Sequence, residues 1–148
     1  INIFNNTFVR YFLSGAFYLQ VHQAIKLDSC GPTLCIQRRI GWKQQPFKIF
    51  KFRTMRPGLE NQREFAGQKN DPRITRLGKI LRKTQLDEIP QLWNVIRGEM
   101  SIIGPRALID AEVNEFEKHI PHFLLRHTIR PGITGWAQTN LPARGNDA

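Results

Sequence analysis

Asp87 and Glu88 are adjacent carboxylates set in a strongly cationic stretch, and this is the first place in the chain where chemistry can be sought. Arg76, Lys79, Arg82 and Lys83 precede the pair, and Arg97 and Arg106 follow it. A carboxylate surrounded by cations is expected to stay ionised, the state that a nucleophile or a metal ligand needs. Downstream, Ile89, Leu92, Trp93 and Ile96 recur at i, i+3, i+4 and i+7. That spacing predicts one amphipathic helix, stopping near Gly98, with both acids in its first turn. Unpaired main-chain N–H groups at a helix start favour bound phosphate, so nucleophile and phosphate site could coincide. The pattern also has a purely structural explanation: Thr84, three residues before Asp87, reads as half of a capping box, and acids favour helix starts whether or not they react.

The elements that must hold this pair are legible on both sides of it. Leu34-Cys35-Ile36-Gln37-Arg38 and Phe47-Lys48-Ile49-Phe50-Lys51-Phe52 flank a turn around Gly41–Pro46, and the period-2 alternation of the second segment reads as a strand, so a short β-hairpin is expected. Lys48 reads as part of a solvated face. Residues 56–70 are polar and carry Gly58 and Gly67, which suits a loop or short helix beside the site. Asp71-Pro72-Arg73 reads as a turn whose acid and base could pair with each other, and Thr75 as the cap of a helix bearing Leu77, Ile80 and Leu81. Arg82 lies five residues before Asp87 and reaches the same phosphate only if the chain bends, which Lys83-Thr84-Gln85 allows. Ser101–Arg106 reads as a loop. Ile109, Val113, Phe116 and Ile120 mark a further amphipathic helix stopped by Pro121, with Glu112, Glu115 and Glu117 on its solvated side. His119, His122 and His127 lack companions at zinc spacing and read as structural or surface residues. Arg130–Trp136 reads as a shaped loop, with Trp42 and Trp136 available for packing or for a membrane interface.

Bulk properties narrow the partner without choosing it. The 148 residues suit one domain, and 22 Lys+Arg against 12 Asp+Glu give a net charge of +10 and a pI near 10.3, so an anionic partner is expected: nucleic acid, lipid headgroup or phosphorylated substrate. Cys30 and Cys35 read as free thiols in a reducing compartment. Residues 8–25 are aromatic and moderately apolar but are interrupted by Arg10, Gln20, His22 and Gln23. A membrane span wants ~20 predominantly apolar residues, and this stretch falls short.

Five separated motifs in one order carry a resemblance. They are Gly31-Pro32 with Gln37-Arg38-Arg39-Ile40-Gly41, Phe47–Met55, Asp71–Gly78, Leu81–Val95 with Gly98–Arg106, and Arg130–Gln138. Over about 25–140 the chain resembles the bacterial sugar transferases, the monotopic phosphoglycosyl transferases. The resemblance implies an α+β, mainly helical fold: a compact catalytic domain with a short β-hairpin (28–148, expected to be C-terminally truncated), preceded by a re-entrant membrane-associated helix (1–27). In that helix Ser14-Gly15 stands where the family has Ser-Pro, and Ala107 stands where the family usually has a second proline after Gly-Pro-Arg. It further implies transfer of a sugar-1-phosphate from a nucleoside diphosphate sugar, uridine the expected base, onto a polyprenyl (undecaprenyl) phosphate. That step opens exopolysaccharide, O-antigen or glycoconjugate synthesis at the cytoplasmic face of the inner membrane.

Carried over residue by residue, Asp87 becomes the nucleophile that forms an aspartyl-phosphosugar. Glu88 becomes its assistant, the two acids becoming ligands of Mg²⁺, and Lys51, Arg53, Arg82, Gln91 and Arg106 become substrate-binding residues. The resemblance assigns no nucleic-acid partner and leaves a homo-oligomer open. Two other readings stay open on the residues alone. One is an inactive, degenerate transferase fragment acting as a membrane-surface adaptor; the other is a basic nucleic-acid-binding module, in which two carboxylates amid the cations would repel a phosphate backbone.

Overall fold

The computed structural model describes residues 15–58 and 71–140. Helix α1 (Gly15–Asp28) leads into an antiparallel hairpin of β1 (Leu34–Ile40) and β2 (Pro46–Phe52), in register from Leu34 opposite Phe52 to Ile40 opposite Pro46. Helix α2 (Arg76–Lys83), a 3-10 segment (Leu86–Gln91) and the short helix α3 (Leu92–Ile96) follow. Strand β3 (Ser101–Ile103), α4 (Asp110–His119), a second 3-10 segment (Phe123–Thr128), β4 (Gly132–Thr134) and α5 (Trp136–Asn140) complete the described chain. The fold is α+β with the expected hairpin. A second sheet, in which β3 and β4 pair in parallel, forms from segments that read as loops, because each is only three residues long.

Two apolar clusters hold these elements. Phe17 and Ile25 of α1, Phe52 of β2 and Leu81 of α2 are buried together, with Tyr18, Val21, Leu77, Leu86 and Ile89 packed against them. Ile40, Leu108 and Val113 form the second, covered by Phe116, Phe123 and Leu124. Thus α1 is docked on β2 and α2 by one face, while Leu19 and Leu27 stay exposed. The expected boundary between residues 27 and 28 falls within its last turn. No described helix is long and apolar enough to cross a membrane. A re-entrant turn before Gly15 would lie outside the described residues, as does most of the expected loop at 56–70.

The junction between α2 and the hairpin rests on a glycine. A Cβ at Gly78 would lie 2.1 Å from the Thr54 carbonyl oxygen, so only glycine lets α2 approach the end of β2 so closely. Thr75 caps α2 as expected, its side chain accepting from Gly78 N at 2.9 Å. The Thr75 main-chain N–H donates to Thr54 O at 3.0 Å.

Candidate active site

The segment bearing the two acids is not the continuous helix that its periodicity predicts. Gln85 sits in the left-handed region (φ 56) and ends α2, and Pro90 lies inside the following 3-10 segment. Proline has no N–H to give an α-helical ladder, and three residues per turn stack i on i+3. Leu86 and Ile89 therefore both face the first core cluster, and the chain between them carries Asp87 and Glu88. Thr84 is no N-cap for this segment. Its hydroxyl donates backwards, to Ile80 O at 2.9 Å and Leu81 O at 3.2 Å, so it closes α2 instead. Beyond the bend the apolar periodicity does not mark a buried face either, since Trp93 is 57% and Ile96 72% exposed.

Asn94 is the anchor that sequence reading missed. Fully buried, it donates through Nδ2 to Lys48 O (2.7 Å) and Glu99 Oε2 (2.7 Å), and its Oδ1 accepts from Phe50 N (3.3 Å). It thereby fixes α3 on β2, and the only sequence signal for it is a polar residue on a helix flanked by apolar ones. One residue beyond Phe50, Lys51 Nζ reaches Glu88 Oε1 at 2.5 Å, with both side chains 19% exposed.

Asp87 is 9% exposed, and among the described residues no side-chain donor lies within hydrogen-bond distance of it. Burial pushes its carboxyl above the ordinary aspartate value, Lys51 and Arg82 pull it down, and Glu88 pushes it up; the net direction is upward. Desolvation thus outweighs the pull of cations that are themselves engaged elsewhere.

The cations divide. Lys51 and Arg82 act on Asp87, and Arg82 is oriented by a 2.9 Å bond from its Nε to Thr54 Oγ1, across the bend that the sequence allowed. The Arg53 guanidinium is buried and bound to the end of α1, Nη1 donating to Cys30 O at 2.7 Å and Nη2 to Ser29 O and Oγ at 2.6 and 2.9 Å, so in this structure it holds α1. Asp71 and Arg73 form the expected pair, buried and bidentate (Nη2 to Oδ2 at 2.6 Å, Nε to Oδ1 at 2.9 Å).

Arg106 and Gln91 come together with Lys51 and Glu88 around one pocket, joined by Arg39 and Gln138, which sequence reading did not place there. Arg39 is held by Ala107 O (3.3 Å) and Glu112 Oε2 (3.5 Å), and Glu112 also accepts from Ile109 N at 3.1 Å. Glu112 thus lies on the solvated side as expected, its side chain 45% exposed, and also caps α4 and pairs with Arg39. Two hard carboxylates side by side suit Mg²⁺, which takes few protein oxygens and completes its shell with water and substrate phosphate. Lys51 occupies one Glu88 oxygen and leaves the other, so Asp87 and Glu88 are the residues that fit such an ion. Among the described residues there is no cluster of three or more His, Cys, Asp or Glu side chains able to hold a metal without substrate.

This arrangement sets a buried acid beside a second acid, with Lys51 and Arg82 acting on it. A family model described as bacterial sugar transferase matches residues 2–147, and the chain belongs to that family. It is 46% identical over 114 residues to the UDP-N-acetylgalactosamine-undecaprenyl-phosphate N-acetylgalactosaminephosphotransferase of Aeromonas hydrophila, covering 77% of this chain and 27% of that protein. It is 46% identical over 118 residues to the UDP-glucose:undecaprenyl-phosphate glucose-1-phosphate transferase of Escherichia coli K12, covering 79% and 25%. Over 126 residues it is 48% identical to the exopolysaccharide production protein PSS of Rhizobium leguminosarum, covering 82% and 63%. The chain thus spans about a quarter of the length of the first two relatives.

Proposed function

We propose that this chain carries the catalytic centre of a phosphoglycosyl transferase that moves a sugar-1-phosphate from a uridine diphosphate sugar to undecaprenyl phosphate, the opening step of exopolysaccharide or related glycan assembly. The observation that carries the reading is Asp87: a buried carboxyl under the influence of Lys51 and Arg82, next to Glu88, on the bent segment Leu86–Gln91. An Asp87 oxygen attacks the sugar-linked phosphorus, the phosphoanhydride bond breaks, and UMP leaves with the electron pair. A lipid phosphate oxygen then attacks the same phosphorus and releases the carboxylate. Covalent catalysis of this kind divides one displacement between two anions into two steps.

Lys51, Arg82 and Arg106 offset charge on the phosphates, and Lys51 also holds Glu88 in place. Mg²⁺, when bound by Asp87 and Glu88, would supply Lewis-acid neutralisation of the diphosphate. A lipid phosphate acceptor would be met at the membrane surface, and the cytoplasmic face of the inner membrane is the location this reading proposes. The N-terminal segment then attaches without crossing, an orientation consistent with the exposed Leu19 and Leu27 on α1. Incubation with donor alone, followed by intact-protein mass spectrometry, tests the chemistry: a phosphosugar adduct on Asp87 is expected. Its formation in Asp87→Asn would overturn the assignment. Flotation with anionic liposomes tests the location, and a full chain that stays in the soluble fraction would refute it.

A further inference from the structure

Arg106 stands on an irregular stretch between β3 and α4, yet each main-chain carbonyl from Pro105 to Leu108 is taken. Pro105 O accepts from Gly132 N (3.0 Å), Arg106 O from Arg126 Nη2 (2.9 Å), Ala107 O from Arg39 Nη1 (3.3 Å) and Leu108 O from Ile40 N (2.8 Å). Two of these donors are guanidinium groups from elements remote in sequence. Among the described residues the Arg106 guanidinium itself makes no hydrogen bond or ion pair, and it lies exposed at the pocket shared with Lys51 and Glu88. The main chain of this residue is held, and its side chain is left uncommitted.

Arg126 does this from outside the pocket, whose lining does not include it. Its guanidinium lies over the Phe123 ring at 4.7 Å, and Phe123 is packed on Phe116 of α4 (5.2 Å between ring centres), so the second core cluster sets where it points. Burial pushes the Arg126 pKa down and Glu112 pulls it back up, and Glu112 also pairs with Arg39 at 3.5 Å. One carboxylate thus steadies both guanidinium groups. That matters because Arg39 and Arg106 are close enough for their like charges to repel, and a loop gathering such charges needs a firm main-chain grip. A long cationic side chain loses rotamer freedom when it holds a phosphate, and a displaced root spoils its aim. We propose that Arg126 is a positioning residue for the transfer reaction: by holding the Arg106 carbonyl it fixes the root of the Arg106 side chain and presents that guanidinium to the donor's phosphates. The proposal rests on the transferase reading and deepens it, since it names a residue outside the pocket on which the site depends.

A double-mutant cycle on the full chain tests it, with kcat/KM measured for UDP-glucose and UDP-N-acetylgalactosamine as donor probes, undecaprenyl phosphate as acceptor, and thermal melts alongside. Arg126→Met keeps a stem over Phe123 and removes the donor. It should lower kcat/KM about tenfold in the parent. In Arg106→Ala it should change kcat/KM less than about twofold, because a residue acting through Arg106 has nothing left to position. Arg126→Lys keeps the charge and the fold but trades the planar fork for a shorter donor, so it should lose about threefold, again only while Arg106 is present. Equal losses with and without Arg106 would overturn the proposal, since Arg126 would then act through the fold or through its own charge on the substrate. So would an undiminished kcat/KM in Arg126→Lys, or a loss in Arg126→Met no larger than its unfolded fraction explains. Any of these results, with the Asp87 adduct still forming in the parent, would sink the Arg126 proposal alone. A parent chain that turns over neither donor and forms no adduct would take the transferase reading down with it.

Discussion

Asp71 and Asp87 are both buried aspartates near arginines, yet their surroundings drive them in opposite directions. Asp71 receives Arg73 side-chain and main-chain hydrogen bonds, and these hold its carboxyl below the ordinary aspartate value despite burial. Asp87 has cations nearby but, among the described residues, no side-chain donor bonded to it, and burial wins. A charge is stabilised in a protein interior by donors in contact with it, whereas neighbours at longer range leave it exposed to desolvation. Asp71 is thereby committed to the fold, whereas the Asp87 carboxyl has no such side-chain bond among the described residues.

Exchanging each acid for its amide should separate the two roles most sharply. Asp87→Asn should lose turnover and adduct entirely while melting at or above the parent temperature. Asp71→Asn should cost about 3–5 kcal/mol of stability, because the buried Arg73 guanidinium loses the carboxylate that holds it. Activity per folded molecule should survive in the second variant. Matching losses of stability in both variants, read by denaturant melts, would erase the distinction.

The pH dependence should divide the same way. Asp71 has a folded value below that of the unfolded chain, so its contribution to stability is present above about 3.8 and is lost as pH falls through the lower folded value. Asp87 has a raised folded value, so its ionisation opposes folding once pH rises above 3.8. Adduct formation should decline on acidification at a pH above the ordinary aspartate value. Stopped-flow or quenched adduct rates against pH would check this, and a decline only below 3.8 would contradict it.

The arginines sharpen the contrast at smaller scale. Arg106→Ala should lower kcat/KM by an amount corresponding to roughly 1.5–3 kcal/mol with little change in melting temperature. Arg53→Ala should lower the melting temperature, because Ser29 and Cys30 lose the donor that ties α1 to β2. A fall in kcat/KM without a fall in stability for Arg53→Ala would restore it as a phosphate ligand. Smallest of all is Thr84→Ala: an N-cap would cost about 1 kcal/mol, whereas its backward bonds at an exposed position should cost less than about 0.5 kcal/mol.

What the sequence determined by itself is local. Alternation over Phe47–Phe52, Thr75 before α2, the apolar spacing of α4 and the turn chemistry of Asp71-Pro72-Arg73 depend on near neighbours, and the structure contains all four. The acid pair and its cations were also legible, since identity and charge need no fold. Tertiary structure decided the rest, because it turned on which distant atoms arrive first. Gln85 and Pro90 broke the expected helix so that Leu86 and Ile89 could reach the core formed with α1. Arg53 was taken by carbonyls more than twenty residues away. Arg39 and Gln91 met in one pocket only because Asn94 fastens α3 to β2 and Glu112 draws the Arg39 chain toward α4. Desolvation of Asp87 likewise belongs to no stretch of sequence: it is set by how much water the assembled elements exclude, and that sum exists only in the folded chain.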